Sequence, residues 1–253
     1  QLQTLLLTEH HCNLFAEQGQ RVCGNDMKSA AEIQAEFDRI ALTEPPDEWT
    51  HNNHYHGFLL RHAPPRCAHA LEVGCGTGAF ARLLAQRSEQ VLALDLSPEM
   101  LRIGRERSSA FPGITYLQAD VMHYDLPSEH FDCITSIATL HHLPLPDVLP
   151  KLKAALKPGG VLLVLDLFQT HGLRDLPLNS AGFFYHRLLQ FSKGSRHKPT
   201  PEASAAWDAH GRDDRYLSVA EVRRVAADLL PGAKVTRHLL WRYSLIWKKA
   251  NLA

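Results

Sequence analysis

The run Leu71-Glu72-Val73-Gly74-Cys75-Gly76-Thr77-Gly78 is where this chain of 253 residues concentrates residue types with obvious chemistry. Glycines at this spacing let a backbone turn take positive φ and bring its N–H groups close to a ligand. Glu72 stands two residues before the first glycine, where its carboxylate could face an ammonium group. Gly74, Gly76 and Ala79 also satisfy the spacing G-x-G-x-x-A. That spacing is shared with dinucleotide sites, so the glycines alone leave a nicotinamide dinucleotide and another adenosine ligand both open.

Two more acids narrow the choice. Asp95 lies about 20 residues beyond the turn, where an acid binds ribose hydroxyls. Asp120, in Gln118-Ala119-Asp120-Val121, can accept a hydrogen bond from an adenine amino group. A tight Gly-x-Gly-x-Gly turn suits a ligand without a pyrophosphate. Together the three features describe an adenosine site.

These residues must be held by elements with a strand–helix rhythm, which begins at about residue 68. Ala70 to Val73 reads as a buried strand that ends in the glycine turn, and a helix follows with Phe80, Leu83 and Leu84 on one face. Val91 to Leu94 is a second strand that places Asp95 at its end. Ser97 caps the next helix and Pro98 occupies its first turn, where the missing N–H costs nothing. Ile114 to Ala119, Phe131 to Ile137 and Val161 to Leu167 read as further strands. Leu145, Val148, Leu149, Leu152 and Leu156 form a helical stripe stopped by Pro158-Gly159-Gly160. Strands separated by helix-length segments mean parallel units with right-handed crossovers, hence an α/β fold.

Outside that core, residues 1–62 read as a helical cap, with Ser29 as N-cap of a helix broken by Pro45-Pro46, and a second helix from about Asn53 to His62. Residues 169–217 break the rhythm and read as an irregular insertion that lids the substrate. They carry Phe183, Phe184, Tyr185, Phe191, Trp207 and the basic stretch Lys193 to Lys198, which reads as a solvated charge run. Residues 218–253 supply a helix opened by the capping box Ser218 to Glu221, then the strands Lys234 to Leu240 and Tyr243 to Lys248 as an antiparallel hairpin. The whole is expected to be a single domain with residues 68–168 as its cofactor-binding core.

Composition excludes several classes. Lys plus Arg and Asp plus Glu are both 27, so there is no basic excess to drive binding to a phosphate backbone. The five cysteines, Cys12, Cys23, Cys67, Cys75 and Cys133, are scattered and include no C-x-x-C, which argues against a disulfide framework or zinc ribbon and suits a reducing cytoplasm. The longest apolar run, Val161 to Leu165, is far short of the ~20 residues that span a bilayer. Leu5-Leu6-Leu7 is too short for a signal-peptide core, and the first residue, Gln1 rather than Met, points to a start that lies upstream.

Glu72 to Gly78, Asp95, Asp120, the strand Phe131-Asp132-Cys133-Ile134 and Leu156-Lys157-Pro158-Gly159-Gly160 together resemble class I S-adenosylmethionine-dependent methyltransferases, in the small-molecule (methyltransferase type 11-like) branch. The likeness covers residues 68–168 strongly. It implies a Rossmann-like, doubly wound, mostly parallel seven-stranded sheet with its last strand antiparallel. It also implies S-adenosyl-L-methionine as cofactor. Gly74, Cys75, Gly76, Thr77 and Gly78 would then cradle the methionine part beside Glu72. Asp95 would take the ribose, Leu96 and Met100 would pack near the adenine, and Ala119, Asp120 and Val121 would hold its edge. Ser136 and Ala138 would line the site after the fourth strand.

On the acceptor side, His141 and His142 are candidates for the catalytic base, although a histidine pair before Leu143-Pro144 is also a common structural element. His54, Tyr55, Phe168 and Tyr185 are candidates for binding the substrate, with His54, Tyr55 and His56 as further candidate bases. His51, His54 and His56 lack an accompanying acid or cysteine signature, so no metal site is expected. Cys75 reads as a small side chain rather than a nucleophile. The expected activity is methyl transfer to a small-molecule acceptor by a cytoplasmic monomer or homodimer, with no nucleic-acid or membrane partner. Three alternatives stand beside it. One is a nucleic-acid methyltransferase, disfavoured by Ser136-Ile137-Ala138-Thr139 where base-flipping amino methylases carry Asn/Asp-Pro-Pro-aromatic. Another is an NAD-dependent oxidoreductase. The last is the same fold turned to a different reaction such as a cyclisation.

Overall fold

A computed structural model describes residues 28–43, 50–169, 180, 182, 184–185, 200–212 and 214–251. Its centre is a seven-stranded sheet in the order β3-β2-β1-β4-β5-β7-β6. The strands are β1 (Cys67–Val73), β2 (Ser88–Asp95), β3 (Ile114–Gln118), β4 (Phe131–Ile137), β5 (Leu156–Leu167), β6 (Lys234–Arg237) and β7 (Arg242–Lys248). β1 to β5 pair in parallel, and β7 runs antiparallel to both β5 and β6. The chain enters at β1, winds outward through β2 and β3, then restarts on the other side at β4. The order therefore reverses between β1 and β4, and ligands bind at the carboxyl ends of strands at such a switch point.

The strands are apolar because both faces are covered. On β5, Leu162 and Val164 join one buried cluster with Ile134, Leu149 and Val222, whereas Leu163 and Leu165 join the other with Leu59, Phe80 and Leu101. The helices are α1 (Ala30–Ala41), α2 (His51–His54), α3 (His56–His62), α4 (Ala79–Leu84), α5 (Pro98–Arg107), α6 (Leu145–Ala155), α7 (Pro201–Arg212) and α8 (Val219–Leu229). α1 starts at the capping box Ser29–Glu32, and Ile40 and Ala41 pack it on Met100 of α5. Among the described residues, no helix is long and apolar enough to cross a membrane.

Several boundaries differ from the sequence reading. β5 begins at Leu156, so Pro158, Gly159 and Gly160 lie inside a strand whose register with β4 shifts between Phe131 and Cys133. The glycines absorb that irregularity instead of forming a free turn. The helix expected from Asn53 to His62 is two pieces that hinge at Tyr55. The first hairpin strand stops at Arg237, because Leu240 and Trp241 take left-handed φ values of 57° and 54° in the connecting turn. Part of the irregular 169–217 insertion is the regular helix α7. Its signal was present: the Thr200 hydroxyl accepts from the Ala203 N–H at 3.1 Å, and Pro201 opens the first turn. Pro45-Pro46, Phe183, Phe191, Lys193 to Lys198, Cys12 and Cys23 lie outside the described residues.

Candidate functional site: a glycine turn and a histidine turn at the switch point

The glycine turn follows β1. Gly74, Gly76 and Gly78 have φ of 70°, 51° and 74°, the left-handed region that an L side chain resists. Two of them also make room for close packing. A Cβ on Gly74 would collide with Thr139 after β4, and one on Gly78 would collide with the Tyr116 hydroxyl. Gly76 is different: a Cβ there would meet nothing within 4 Å, so its position opens on free space.

Asp95 braces this turn from the end of β2. Its Oδ2 accepts from the Gly76 N–H at 2.7 Å and its Oδ1 from the Ser97 N–H at 2.9 Å. Burial raises its pKa, against those same amide hydrogen bonds. Ser97 caps α5 and donates to Asp38 of α1 at 2.5 Å, so the N-terminal helix reaches the sheet edge beside Asp95. Glu72 is 2% exposed, and its Oε2 has no hydrogen-bond partner among the described residues. Burial and the neighbouring Asp95 push its pKa well up. A buried carboxyl oxygen without a partner is costly, on the order of 1–3 kcal/mol. An ammonium group laid over the turn would satisfy it. The open face at Gly76 and this orphaned oxygen together fit the amino-acid part of S-adenosylmethionine.

The remaining expected cofactor residues hold varied positions. Asp120 is 21% exposed at its side chain; it accepts from the Met122 N–H at 2.8 Å and faces His123 Nδ1 at 2.6 Å. Val121 is buried beside the partly buried Ala119. Leu96 lies half-buried next to Asp95, and Met100 is buried beneath α1. Ser136 is fully buried and donates to the Val73 carbonyl at 3.0 Å, tying β4 to β1. Ala138 takes φ 51° as the chain leaves β4. Thr77 gives its carbonyl to Arg82 at 2.9 Å. The Cys75 thiol is buried, and burial with Asp95 and Glu72 holds its pKa well up, so it is no nucleophile.

The histidine turn, a 3-10 helix Leu140–His142, follows β4 on the other side of the switch point. Asp166, fully buried near the end of β5, accepts from the His141 backbone N–H at 2.9 Å and stands 2.6 Å from His141 Nδ1. That fixes the ring and leaves Nε2 as its other functional nitrogen. His142 is different. Burial first, then the charges of His141, His210 and Lys28, drive its pKa far down, so it is a neutral imidazole and a poor base.

The expected substrate residues converge only partly. His54 Nε2 and the Tyr185 hydroxyl lie 3.4 Å apart. The Tyr55 ring packs edge-on against His54 at 4.8 Å, but its hydroxyl donates to the Leu239 carbonyl at 2.8 Å; burial pushes its pKa to about 12. Phe168 is buried under the Arg237 guanidinium, in a small hollow shared with His238 and Trp241. His56 packs on Phe80, and burial lowers it to about 4, which leaves it neutral at physiological pH.

Sequence reasoning missed Asp166, Glu36, His210 and Asp214. Asp166 carried a readable signal, an acid near the end of a strand like Asp95. The other three had none, because α1 and α7 bring them together across 174 residues of chain between Glu36 and His210.

A model of the methyltransferase domain family matches residues 71–164. An uncharacterized methyltransferase of Mycobacterium tuberculosis is 31% identical over 201 residues, covering 79% of this chain and 96% of the relative. The chain belongs to the class I S-adenosylmethionine-dependent methyltransferases. A ubiquinone biosynthesis O-methyltransferase of Xanthomonas axonopodis is 34% identical over 158 residues, 59% of this methyltransferase and 64% of the relative. Among solved structures, the N-methyltransferase NodS from Bradyrhizobium japonicum, in complex with S-adenosyl-L-homocysteine, shares the fold at TM-score 0.59 and 14% identity, covering 85% of this chain and 97% of that one. The Rossmann-like α/β fold, the methyltransferase activity and the S-adenosylmethionine cofactor read from the glycine turn and the strand-end acids agree with these matches.

Proposed function

We propose that this methyltransferase acts on a small-molecule acceptor by in-line displacement. The observation that carries the reading is the cover over the carboxyl edge. α1 reaches Ser97 through Asp38, and Glu36 reaches His210 of α7 at 2.6 Å, so two helices close over the switch point. A covered edge suits a compact acceptor better than a polymer. The balanced charge supports the same choice, since it provides no basic excess for nucleic acid.

The bound cofactor supplies a methyl group already activated on a sulfonium. The chain's own task is therefore to position and to handle a proton. The glycine turn and Glu72 would hold the amino-acid end, Asp95 the ribose, and Asp120 with Val121 the adenine. Asp95 is already engaged by two backbone amides, but a carboxylate has lone pairs left for hydroxyls. His54 and Tyr185 would contact the acceptor. His141, oriented by Asp166, would take the proton of an acceptor that must lose one. His142 would serve as its neutral neighbour rather than as a second base.

Two measurements test this. Calorimetry with S-adenosylhomocysteine should show binding at one site, and no heat at millimolar ligand ends the cofactor assignment for these residues. Release of S-adenosylhomocysteine should then occur with members of a panel of small hydroxylated and amino acceptors. Turnover with RNA, DNA or protein alone would overturn the small-molecule reading.

A further inference from the structure

His141, His142, His210 and Asp214 each offer one ligand-type atom, and these atoms all lie within 4.8 Å of one another. They are set up as metal donors are. The Nδ1 of His210 sits 2.6 Å from Glu36 Oε2, which turns its Nε2 toward Asp214 Oδ2 at 3.2 Å. A carboxylate on the far nitrogen is what orients a ligating imidazole. The His142 side chain is 8% exposed, with Nδ1 3.8 Å from Asp214 Oδ1. Its Nε2 has no hydrogen-bond partner among the described residues. Asp214 is 1% exposed at its side chain and also accepts from the Tyr216 hydroxyl at 3.1 Å.

We propose that His142, His210 and Asp214 bind a divalent cation and leave one coordination position open beside His141. Two imidazoles and one carboxylate suit a borderline cation such as zinc or ferrous iron, whereas magnesium and calcium take oxygen ligands. Three protein ligands with an open fourth position is also the pattern of reactive rather than structural zinc sites. Donors around a four-coordinate zinc stand about 3.3 Å apart, so the group draws in by about 1.5 Å at most. The sequence reading expected no metal, and sought it at His51, His54 and His56, because these three ligands come from two elements far apart in the chain.

Lys28 is the competitor. Its Nζ lies 2.9 Å from Glu36 Oε2, 3.2 Å from Asp214 Oδ1 and 2.9 Å from the His210 carbonyl. It takes Asp214 Oδ1, the oxygen nearer His142, while Oδ2 faces His210 and the Tyr216 hydroxyl. A bound cation would fasten α7 to the histidine turn across the sheet edge. The inference stands apart from methyl transfer, because binding is measured with no cofactor present.

The test is a titration of the chelator-stripped full chain with Co2+, read by visible absorption, followed by displacement with Zn2+. One equivalent should give the intense bands of four-coordinate cobalt. His142→Ala and Asp214→Asn should abolish them, and Glu36→Gln should weaken binding about tenfold. Lys28→Met should tighten it, where a purely structural charge cluster would only loosen. His69 stacks on His130 at 4.2 Å and is the obvious adventitious pair, so His69→Ala should leave the bands intact. No bands for the wild-type chain at millimolar Co2+ would overturn the proposal. So would bands lost in His69→Ala and kept in His142→Ala. If a histidine variant fails to fold, Asp214→Asn and Lys28→Met still place the site, and bands unchanged in both would overturn the proposal.

Discussion

The glycine turn and the histidine turn face each other across one switch point, yet they are built in opposite ways. Around the glycine turn the contacts are short in sequence: Asp95 meets Gly76 across 19 residues and Ser97 across 2. The direct brace of the histidine turn is of similar length, 25 residues from His141 to Asp166, but the other contacts assigned to the acceptor side are long, 131 residues from His54 to Tyr185 and 174 from Glu36 to His210. The proposed cofactor half is a local motif on a strand edge. The proposed acceptor half also needs α1 and α7 to dock, since Glu36 and His210 meet only there. A local motif can be kept while the docked elements change, so the cofactor is legible where the acceptor is not.

Substitutions can break that contrast, and the largest effect is expected at His141. His141→Gln should lower kcat about 10²- to 10⁴-fold, the range of a lost general base, with the dissociation constant for S-adenosylhomocysteine unchanged. A loss in cofactor affinity of similar size would show that the two turns are one unit. Gly74→Ala comes next. It adds a side chain at φ 70° and drives it into Thr139, which should cost about 2–3 kcal/mol in urea unfolding. Thr139→Ala in that background should restore part of the loss, because the obstructing hydroxyl and methyl are gone.

Asp95→Ala should weaken S-adenosylhomocysteine binding by about 1–3 kcal/mol, the range for hydrogen bonds to a charged acceptor. Its effect on acceptor KM should be slight, and an unchanged cofactor dissociation constant would count against the ribose assignment. The smallest effect is on pH. Burial opposes the Glu36 charge, but hydrogen bonds from Lys28 and His210 outweigh it and leave its pKa below the ordinary 4.5. A lowered carboxylate stabilises fully above 4.5 and loses that contribution as pH falls through its folded value. Lys28 is raised above 10.5 in the same way, by Glu36 and Asp214 against burial, so its share is lost only as pH rises through that higher value. Melting curves should therefore show a modest loss as pH falls below the ordinary 4.5 that Glu36→Gln removes, and that Asp120→Asn leaves in place.

Much of the fold was readable without coordinates. The caps Ser29, Ser97 and Ser218, the apolar strands and the stripe from Leu145 to Leu152 all became the elements expected of them. The boundary at Leu156 was not readable, because Pro158-Gly159-Gly160 suits a turn and a bulged strand equally until β4 is beside it. α7 was passed over because the aromatic and basic residues around it masked an ordinary Thr-Pro start.

The order of residues alone determined the glycine turn, the acid at the end of the next strand and the parallel sheet, because backbone conformation and hydrophobic period are set by neighbours in the chain. Only the tertiary structure decided that Asp166 orients His141, that His142 is stripped of basicity, and that Glu36, His210, Asp214 and Lys28 share one pocket. Burial and charge act through space, and no spacing along the chain encodes which helix will lie over which strand end.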